Sequence, residues 1–249
     1  MTSMELCWRV EQACANAWPS TRQITIDGWA VKADGGPTRR TDSANPLHPA
    51  ASLDEGLIDQ VETVYRRLGR RVLFRVPDMV SGIDERLARR GYASEGETRT
   101  LYAEMATMTP GEADDVTVEP SASADWLAER DRLREADETN SATYRAVVDA
   151  ILLPCGFAAA YHQGRIGSIA IGVVQDDLLV FESVLTDPAL RQLGLGRRCV
   201  SGLIAWGRGQ GATACALQVQ ADNAPARRLY AGVGLTHELY SYHYRASSG

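Results

Sequence analysis

The stretch that decides the fold reads Arg191-Gln192-Leu193-Gly194-Leu195-Gly196. It follows an apolar run over residues 178–185 and opens an amphipathic run over residues 197–207, which is the pattern of a strand, a glycine-rich turn and a helix. The N–H groups of such a turn and the N-terminus of the helix present partial positive charge to an anion, and glycine lets the backbone approach it closely. The stretch therefore predicts a site for a phosphate group.

Two other phosphate motifs do not fit this stretch. A P-loop needs Lys and then Ser or Thr after its last glycine, whereas Gly196 is followed by Arg197 and Arg198. A dinucleotide-binding turn needs a third glycine in register and an acidic residue about 20 positions further on. The sequence supplies neither. The pattern Arg-x-x-Gly-x-Gly instead resembles the pyrophosphate loop of the GNAT family, the acetyl-CoA-dependent N-acetyltransferases.

A second stretch strengthens the resemblance. After a predicted strand, the sequence continues Asn223-Ala224-Pro225-Ala226-Arg227-Arg228-Leu229-Tyr230-Ala231-Gly232-Val233-Gly234-Leu235. This is similar to the second GNAT signature, Asn-x-x-Ala-x-x-Leu-Tyr-x-x-x-Gly-Phe, with Leu235 in place of Phe. The resemblance covers residues 112–245, about half of the chain. It implies the α/β (α+β) fold of acyl-CoA N-acyltransferases, with a mixed, mostly antiparallel central sheet flanked by helices.

The resemblance also implies where acetyl-CoA binds. The pantetheine arm would pair with the strand before the loop, with the Leu185 N–H directed at the thioester carbonyl like an oxyanion-hole donor. The loop would hold the pyrophosphate, and Asn223 would cap the next helix and touch the pantetheine. The predicted cofactor-binding residues are Leu185, Thr186, Arg191, Gln192, Leu193, Gly194, Leu195, Gly196, Arg197 and Asn223.

Two residues are predicted to be catalytic. Tyr230 matches the tyrosine that acts as general acid toward the coenzyme A thiolate; the alternative is a core tyrosine packed under its helix. Glu182 is the predicted base, because it is the only ionisable side chain in the apolar run 178–184 and burial raises the pKa of a carboxyl group toward neutrality. The alternative for Glu182 is an outer-face position paired with an arginine. His162 and Glu238 are the other candidates for the base.

The first half of the chain repeats the order of elements in the second half: helix, strand, helix, glycine, strand. This repeat predicts two GNAT-like copies in tandem, a degenerate N-terminal domain over residues 1–108 without a pyrophosphate loop and a catalytic domain over residues 112–249. Pro, Gly and acidic residues at 107–115 predict the join. An unrelated α/β cap domain is the alternative for the first half. The arginine pair 39–40 is predicted to be solvated.

The composition of the chain limits which classes of protein it can belong to. The chain has 249 residues and a net charge of −6, which does not indicate a general nucleic-acid surface. No apolar run approaches the roughly 20 residues that span a bilayer, and the N-terminus lacks a signal-peptide pattern, so we expect a cytoplasmic protein. Five scattered cysteines without a CxxC pair, and four histidines, predict neither a disulfide framework nor a metal site.

The predicted function is transfer of an acetyl group from acetyl-CoA, the cosubstrate, to a primary amine of a small molecule or peptide, directly in a ternary complex. Two alternatives remain open: a non-catalytic coenzyme A-binding regulatory protein, and an acyltransferase that uses a longer acyl-CoA. The expected partners are acetyl-CoA and an amine acceptor, without nucleic acid or membrane, and an oligomer is left open. The acidic balance of the chain favours cationic amines as acceptors.

Overall fold

A computed structural model describes residues 3–36 and 38–247. Residues 1, 2, 37, 248 and 249, which include the outer ends of both predicted domains, lie outside the described residues. Within the described ranges the helices are α1 (Ser3–Ala17), α2 (Glu55–Arg67), α3 (Ile83–Arg89), α4 (Ala124–Arg134), α5 (Glu138–Asp149), α6 (Leu195–Gly209) and α7 (Ala224–Gly232). The strands there are β1 (Gln23–Ile26), β2 (Trp29–Lys32), β3 (Ala44–Pro46), β4 (Leu73–Pro77), β5 (Ala93–Glu104), β6 (Val116–Glu119), β7 (Cys155–His162), β8 (Arg165–Gln175), β9 (Leu178–Thr186), β10 (Ala214–Gln220) and β11 (His237–Ala246).

All the strands in the described ranges form one sheet. Its order is β1-β2-β3-β4-β11-β5-β10-β9-β8-β7-β6. The pairs β3–β4 and β9–β10 are parallel, and the other neighbours are antiparallel. The predicted fold class, a mixed and mostly antiparallel sheet flanked by helices, is confirmed.

Strand β5 connects the two halves of the chain. It lies between β10 and β11, with Glu104 opposite Ala214 on one side and Ala93 opposite Ala246 on the other. A strand of the first half thus separates two strands of the second half. The bounds 1–108 and 112–249 stay a prediction, and the sheet runs unbroken across them.

Hydrophobic cores cover both faces of the sheet. Along β8, Ile169 and Ile171 belong to the core under α1, α4 and α5, whereas Ala170 and Val174 belong to the core under α6. This alternation is the period-two pattern of a strand that is buried on both faces. A third cluster, centred on Trp29, Phe74 and Ile58, holds α2 and α3 against the N-terminal strands.

Local sequence signals fix several ends of these elements. Asp54 accepts the Leu57 N–H at 2.8 Å and caps α2. Asn223 accepts the Ala226 N–H at 3.2 Å and caps α7, as predicted. The turn Gln163-Gly164 joins β7 to β8 with positive φ at both residues, 51° and 78°. Such a turn matches the twist of the strands that it connects.

Candidate active-site cleft

The parallel strands β9 and β10 diverge at their carboxyl ends. Their pairing runs from Leu178 opposite Ala214 to Phe181 opposite Leu217 and then stops, although both strands continue. On its other edge β9 carries a bulge, because Ile169 faces Leu185 while Ile171 faces Glu182. The bulge places one extra residue in β9 and bends the strand away from β10.

The divergence opens a cleft of about 500 Å³, called here the β9/β10 cleft. Its walls are the ends of β9 and β10, the N-terminal part of α7, the facing sides of α4 and α5, and residues 38–40. Four predicted site residues line this cleft: Glu182, Leu185, Asn223 and Tyr230. The structure therefore brings both predicted catalytic residues to one space.

Tyr230 is a residue of α7 and is 7% exposed. Burial, and after it the negative charge of Glu182, raises the pKa of Tyr230 above its ordinary value. Its hydroxyl makes no hydrogen bond to any residue that the structure describes. Tyr230 is thus a core tyrosine that also lines the cleft, and its phenol keeps its proton at neutral pH.

Glu182 is 8% exposed and is held by an arginine from the first half of the chain. Arg40 donates from Nη1 to Oε1 at 2.8 Å and from Nη2 to Oε2 at 2.6 Å. Burial lowers the pKa of Arg40, but the charge and hydrogen bonds of Glu182 outweigh it and raise that pKa. The prediction of a solvated Arg40 was wrong, because the 3-10 helix Arg39–Thr41 directs its side chain into the cleft. The role of Glu182 as base stays a prediction.

The ion pair continues into a buried polar network. Arg40 also donates to the Gln218 side chain at 3.2 Å, and Gln218 Nε2 donates to Glu11 at 3.4 Å. Arg75 and the Tyr240 hydroxyl both donate to the Glu11 carboxylate. Because this network ties α1, β4, β10 and β11 to the floor of the cleft, a change at any member acts on the others.

The sequence carries one signal for this network. Glu11 lies on α1 between the buried residues Val10 and Cys14. A carboxylate on the apolar face of a helix needs a partner, and Arg75 supplies it.

The predicted pyrophosphate loop has the expected backbone. Gln192 and Gly194 have φ of 67° and 78°, and α6 begins at Leu195. Residues 191–194 are exposed, whereas Leu195 is 1% exposed and anchors the helix in the core. Residues 191–194 therefore lie at the surface, directly before a fifteen-residue helix whose first two residues are buried.

Close packing explains the second glycine of the motif. A Cβ at Gly196 would lie 2.8 Å from Leu229 Cδ1 and 2.9 Å from Thr186 Oγ1. Thr186 in turn lies 2.9 Å from the Ser168 hydroxyl, which donates to the Leu185 carbonyl at 2.8 Å. Glycine at 196 thus lets the start of α6 sit against the end of β9. The Arg197 guanidinium already has one partner within the protein, since its Nη2 donates to the Thr109 carbonyl at 3.1 Å.

Three further features of the molecule concern membranes, metal ions and cysteines. No helix in residues 3–36 and 38–247 is long and apolar enough to cross a membrane. The described ranges hold no group of three or more His, Cys, Asp and Glu side chains placed to bind a metal ion. The five cysteines are free thiols, and four of them are buried.

Comparison with known proteins finds relatives over almost the whole chain. The family described as "Probable histone acetyltransferase Rv0428c C-terminal" matches residues 7–245. The protein YobR of Bacillus subtilis, described as an uncharacterized N-acetyltransferase, is 25% identical over 244 residues, which are 95% of this chain and 97% of YobR.

Solved structures show the same fold. A GCN5-related N-acetyltransferase from Kribbella flavida superposes with a TM-score of 0.68 at 18% identity, over 97% of this chain and 95% of its own. A tandem GNAT protein from the clavulanic acid biosynthesis pathway superposes with a TM-score of 0.67 at 11% identity, over 96% of this chain and 87% of its own. At these identities the likeness concerns the fold.

Proposed function

The chain belongs to the GNAT family of N-acetyltransferases, and from this premise we propose that it transfers an acetyl group from acetyl-CoA to the primary amine of a small molecule or peptide. The observation that carries the proposal is that Glu182 and Tyr230 line one cleft, which opens where β9 and β10 diverge. The transfer is direct and takes place in a ternary complex.

The backbone around the cleft supports binding of the coenzyme. The exposed residues 191–194 lead into α6, and the N-terminus of a long helix favours a pyrophosphate. Arg191, exposed beside the turn, adds fixed positive charge. The end of β9, including Leu185 and Thr186, lines the route from this loop into the cleft and would hold the pantetheine arm.

The reaction needs two proton movements. The amine nitrogen attacks the thioester carbonyl, a C–N bond forms, and the C–S bond breaks with its electron pair leaving on sulfur. The Tyr230 hydroxyl gives its proton to the thiolate, and the raised pKa of Tyr230 keeps that proton available until it is needed. The attacking amine gives up one proton to a base.

Glu182 serves as that base from within its ion pair. An ionised carboxylate offers about four acceptor positions, and Arg40 occupies one on each oxygen. The remaining positions face the amine or a water between the two. Arg40 thereby fixes the orientation of the carboxylate without occupying all of its acceptor capacity.

A thiol-release assay with purified protein, acetyl-CoA and a panel of amines tests the proposal. We expect acetyl-CoA-dependent release of coenzyme A with at least one amine, together with an acetylated product by mass spectrometry. Binding of acetyl-CoA by calorimetry without turnover over a broad panel would instead identify a regulatory coenzyme A binder. Faster turnover with longer acyl chains would instead identify an acyltransferase that uses a longer acyl-CoA.

A further inference from the structure

The charge inside the β9/β10 cleft opposes the charge of the whole chain. The chain carries a net charge of −6. The described residues that line the cleft include four arginines and one carboxylate, that of Glu182, but no other carboxylate and no lysine. The four arginines are Arg39, Arg40, Arg130 and Arg134. An acidic protein thus encloses a cationic cleft.

Three of these arginines already have anionic partners. Arg40 holds Glu182, and Arg39 Nε donates to Glu95 at 2.9 Å. Arg130 donates to Asp131 at 2.8 Å, and its guanidinium lies 3.7 Å from the centre of the Tyr144 ring. These three side chains are therefore fixed in place by the protein itself.

Arg134, the last residue of α4, has no such partner. Its guanidinium makes no ion pair or hydrogen bond with any residue in 3–36 or 38–247. Arg134 is exposed to solvent where it lines the cleft, and Arg130 lines the same cleft. An exposed guanidinium that has no protein partner and lies near a second guanidinium is free to bind an anion brought by a ligand.

The coenzyme's pyrophosphate does not account for this charge. The predicted pyrophosphate loop, residues 191–197, contributes no residue to the lining of the cleft. The arginines come instead from α4 and from residues 39 and 40, on walls that the loop does not form. The pantetheine arm, which would enter the cleft, carries no charge.

We infer that the acceptor amine also carries a carboxylate, which Arg134 binds while the amine lies toward Tyr230. This inference rests on the proposed function and names its substrate class: amines that bear a carboxylate, such as amino acids. A guanidinium binds a carboxylate through two parallel hydrogen bonds, which orients the ligand as well as attracting it. The cleft thus reverses the preference for cationic amines that the net charge of the chain indicates.

The test compares amino acids with their carboxamides, which differ in the charged group alone. We expect wild-type protein to acetylate at least one amino acid with a kcat/KM about ten- to a hundredfold above that of its amide, the range for a charged hydrogen bond. Arg134→Gln should lower kcat/KM for the amino acid by that factor and leave the amide and the KM for acetyl-CoA unchanged. Arg134→Glu should favour diamines.

The matched control is Arg67→Gln, which removes one charge from an exposed arginine of α2 far from the cleft and should change nothing. The ratio of wild-type to variant kcat/KM is taken separately for each acceptor. This ratio cancels the difference in amine basicity between an amino acid and its amide. Amides or diamines used as well as amino acids would overturn the inference while the proposed function stands. An increase in acetyl-CoA KM that is equal for all acceptors would assign Arg134 to the coenzyme and also overturn it. No thiol release with any amine would instead be a failure of the proposed function.

Discussion

Arg40 and Glu182 lie 142 positions apart in the sequence and form a two-point ion pair in the β9/β10 cleft. The arginine comes from the 3-10 helix before β3, and the carboxylate comes from β9. Both side chains are mostly buried, at 18% and 9% exposure. A residue from the first half of the chain therefore lines the same cleft as residues from the GNAT motifs of the second half.

This pair should show strong energetic coupling. Arg40→Met leaves a buried carboxylate without its partner and should lower the free energy of unfolding by about 3 kcal/mol. Adding Glu182→Gln should restore part of that loss, and urea unfolding of both single variants and the double variant measures the coupling. Arg66→Met, which removes an exposed arginine 3.8 Å from Glu62, should cost less than about 0.5 kcal/mol. Additive losses for Arg40 and Glu182 would mean that the two are not coupled.

Tyr230→Phe should lower kcat about a hundredfold while the KM for acetyl-CoA stays constant, since only the general acid is lost. The pKa of Tyr230 is raised above the ordinary tyrosine value of about 10, so its hydroxyl stays protonated up to about pH 10. Loss of this proton should therefore not lower the wild-type rate below that pH. Steady-state thiol release from pH 6 to 10 measures both. Tyr161→Phe removes a hydroxyl outside the cleft and should be neutral. Unchanged turnover in Tyr230→Phe would remove Tyr230 from the mechanism.

Gly196→Ala should weaken acetyl-CoA binding. The added Cβ would come within 3 Å of Leu229 Cδ1 and Thr186 Oγ1, so these side chains or the start of α6 must shift. We expect the dissociation constant for acetyl-CoA, measured by calorimetry, to rise about tenfold, which corresponds to about 1.4 kcal/mol, because the turn and the helix start no longer fit the anion as well. Gly209→Ala lies on the same helix in open space and should leave binding intact. Equal affinity in both variants would place the pyrophosphate elsewhere.

Lys32→Met should stabilise the protein at neutral pH. Burial, and after it the charge of Arg75, lowers the pKa of Lys32 from 10.5 to about 8. Between these values the unfolded chain holds a proton that the native chain has released, so this residue lowers stability as the pH falls from 10.5 to 8. The variant should gain about 3 kcal/mol in urea unfolding at pH 7, and the gain should shrink above pH 8. A gain that is independent of pH would contradict this account.

The second half of the fold was predictable because its signals are local. The glycine turn before α6, the Asn223 cap of α7 and the hairpin turn after β7 each act within a few residues. Strands β1 and β3 were not predicted, because they are formed by pairing with their neighbours β2 and β4 and not by a local pattern. The place of β5 between β10 and β11 depends on pairing between distant positions, which no local pattern encodes.

The residues of the candidate site also fall into two groups, those that the sequence indicated and those that it did not. Glu182 and Tyr230 stood out as a lone charge in an apolar run and as part of a motif. Arg40 and Arg134 did not, because an arginine beside other charged residues reads as solvated whether or not it lines a cleft. Only the packing of α4 and of residues 39–41 against the ends of β9 and β10 distinguishes them.

The position of β5 has a consequence for the nascent chain. Synthesis completes β5 while β10 and β11, its neighbours on both sides, do not yet exist. Both edges of β5 then stay unpaired while the chain is still on the ribosome, and such edges tend to pair with other chains. A ribosome that stalls before His237 leaves β4 and β5 without the strand that lies between them. Slow translation of the second half should therefore favour aggregation of this protein more than slow translation of the first.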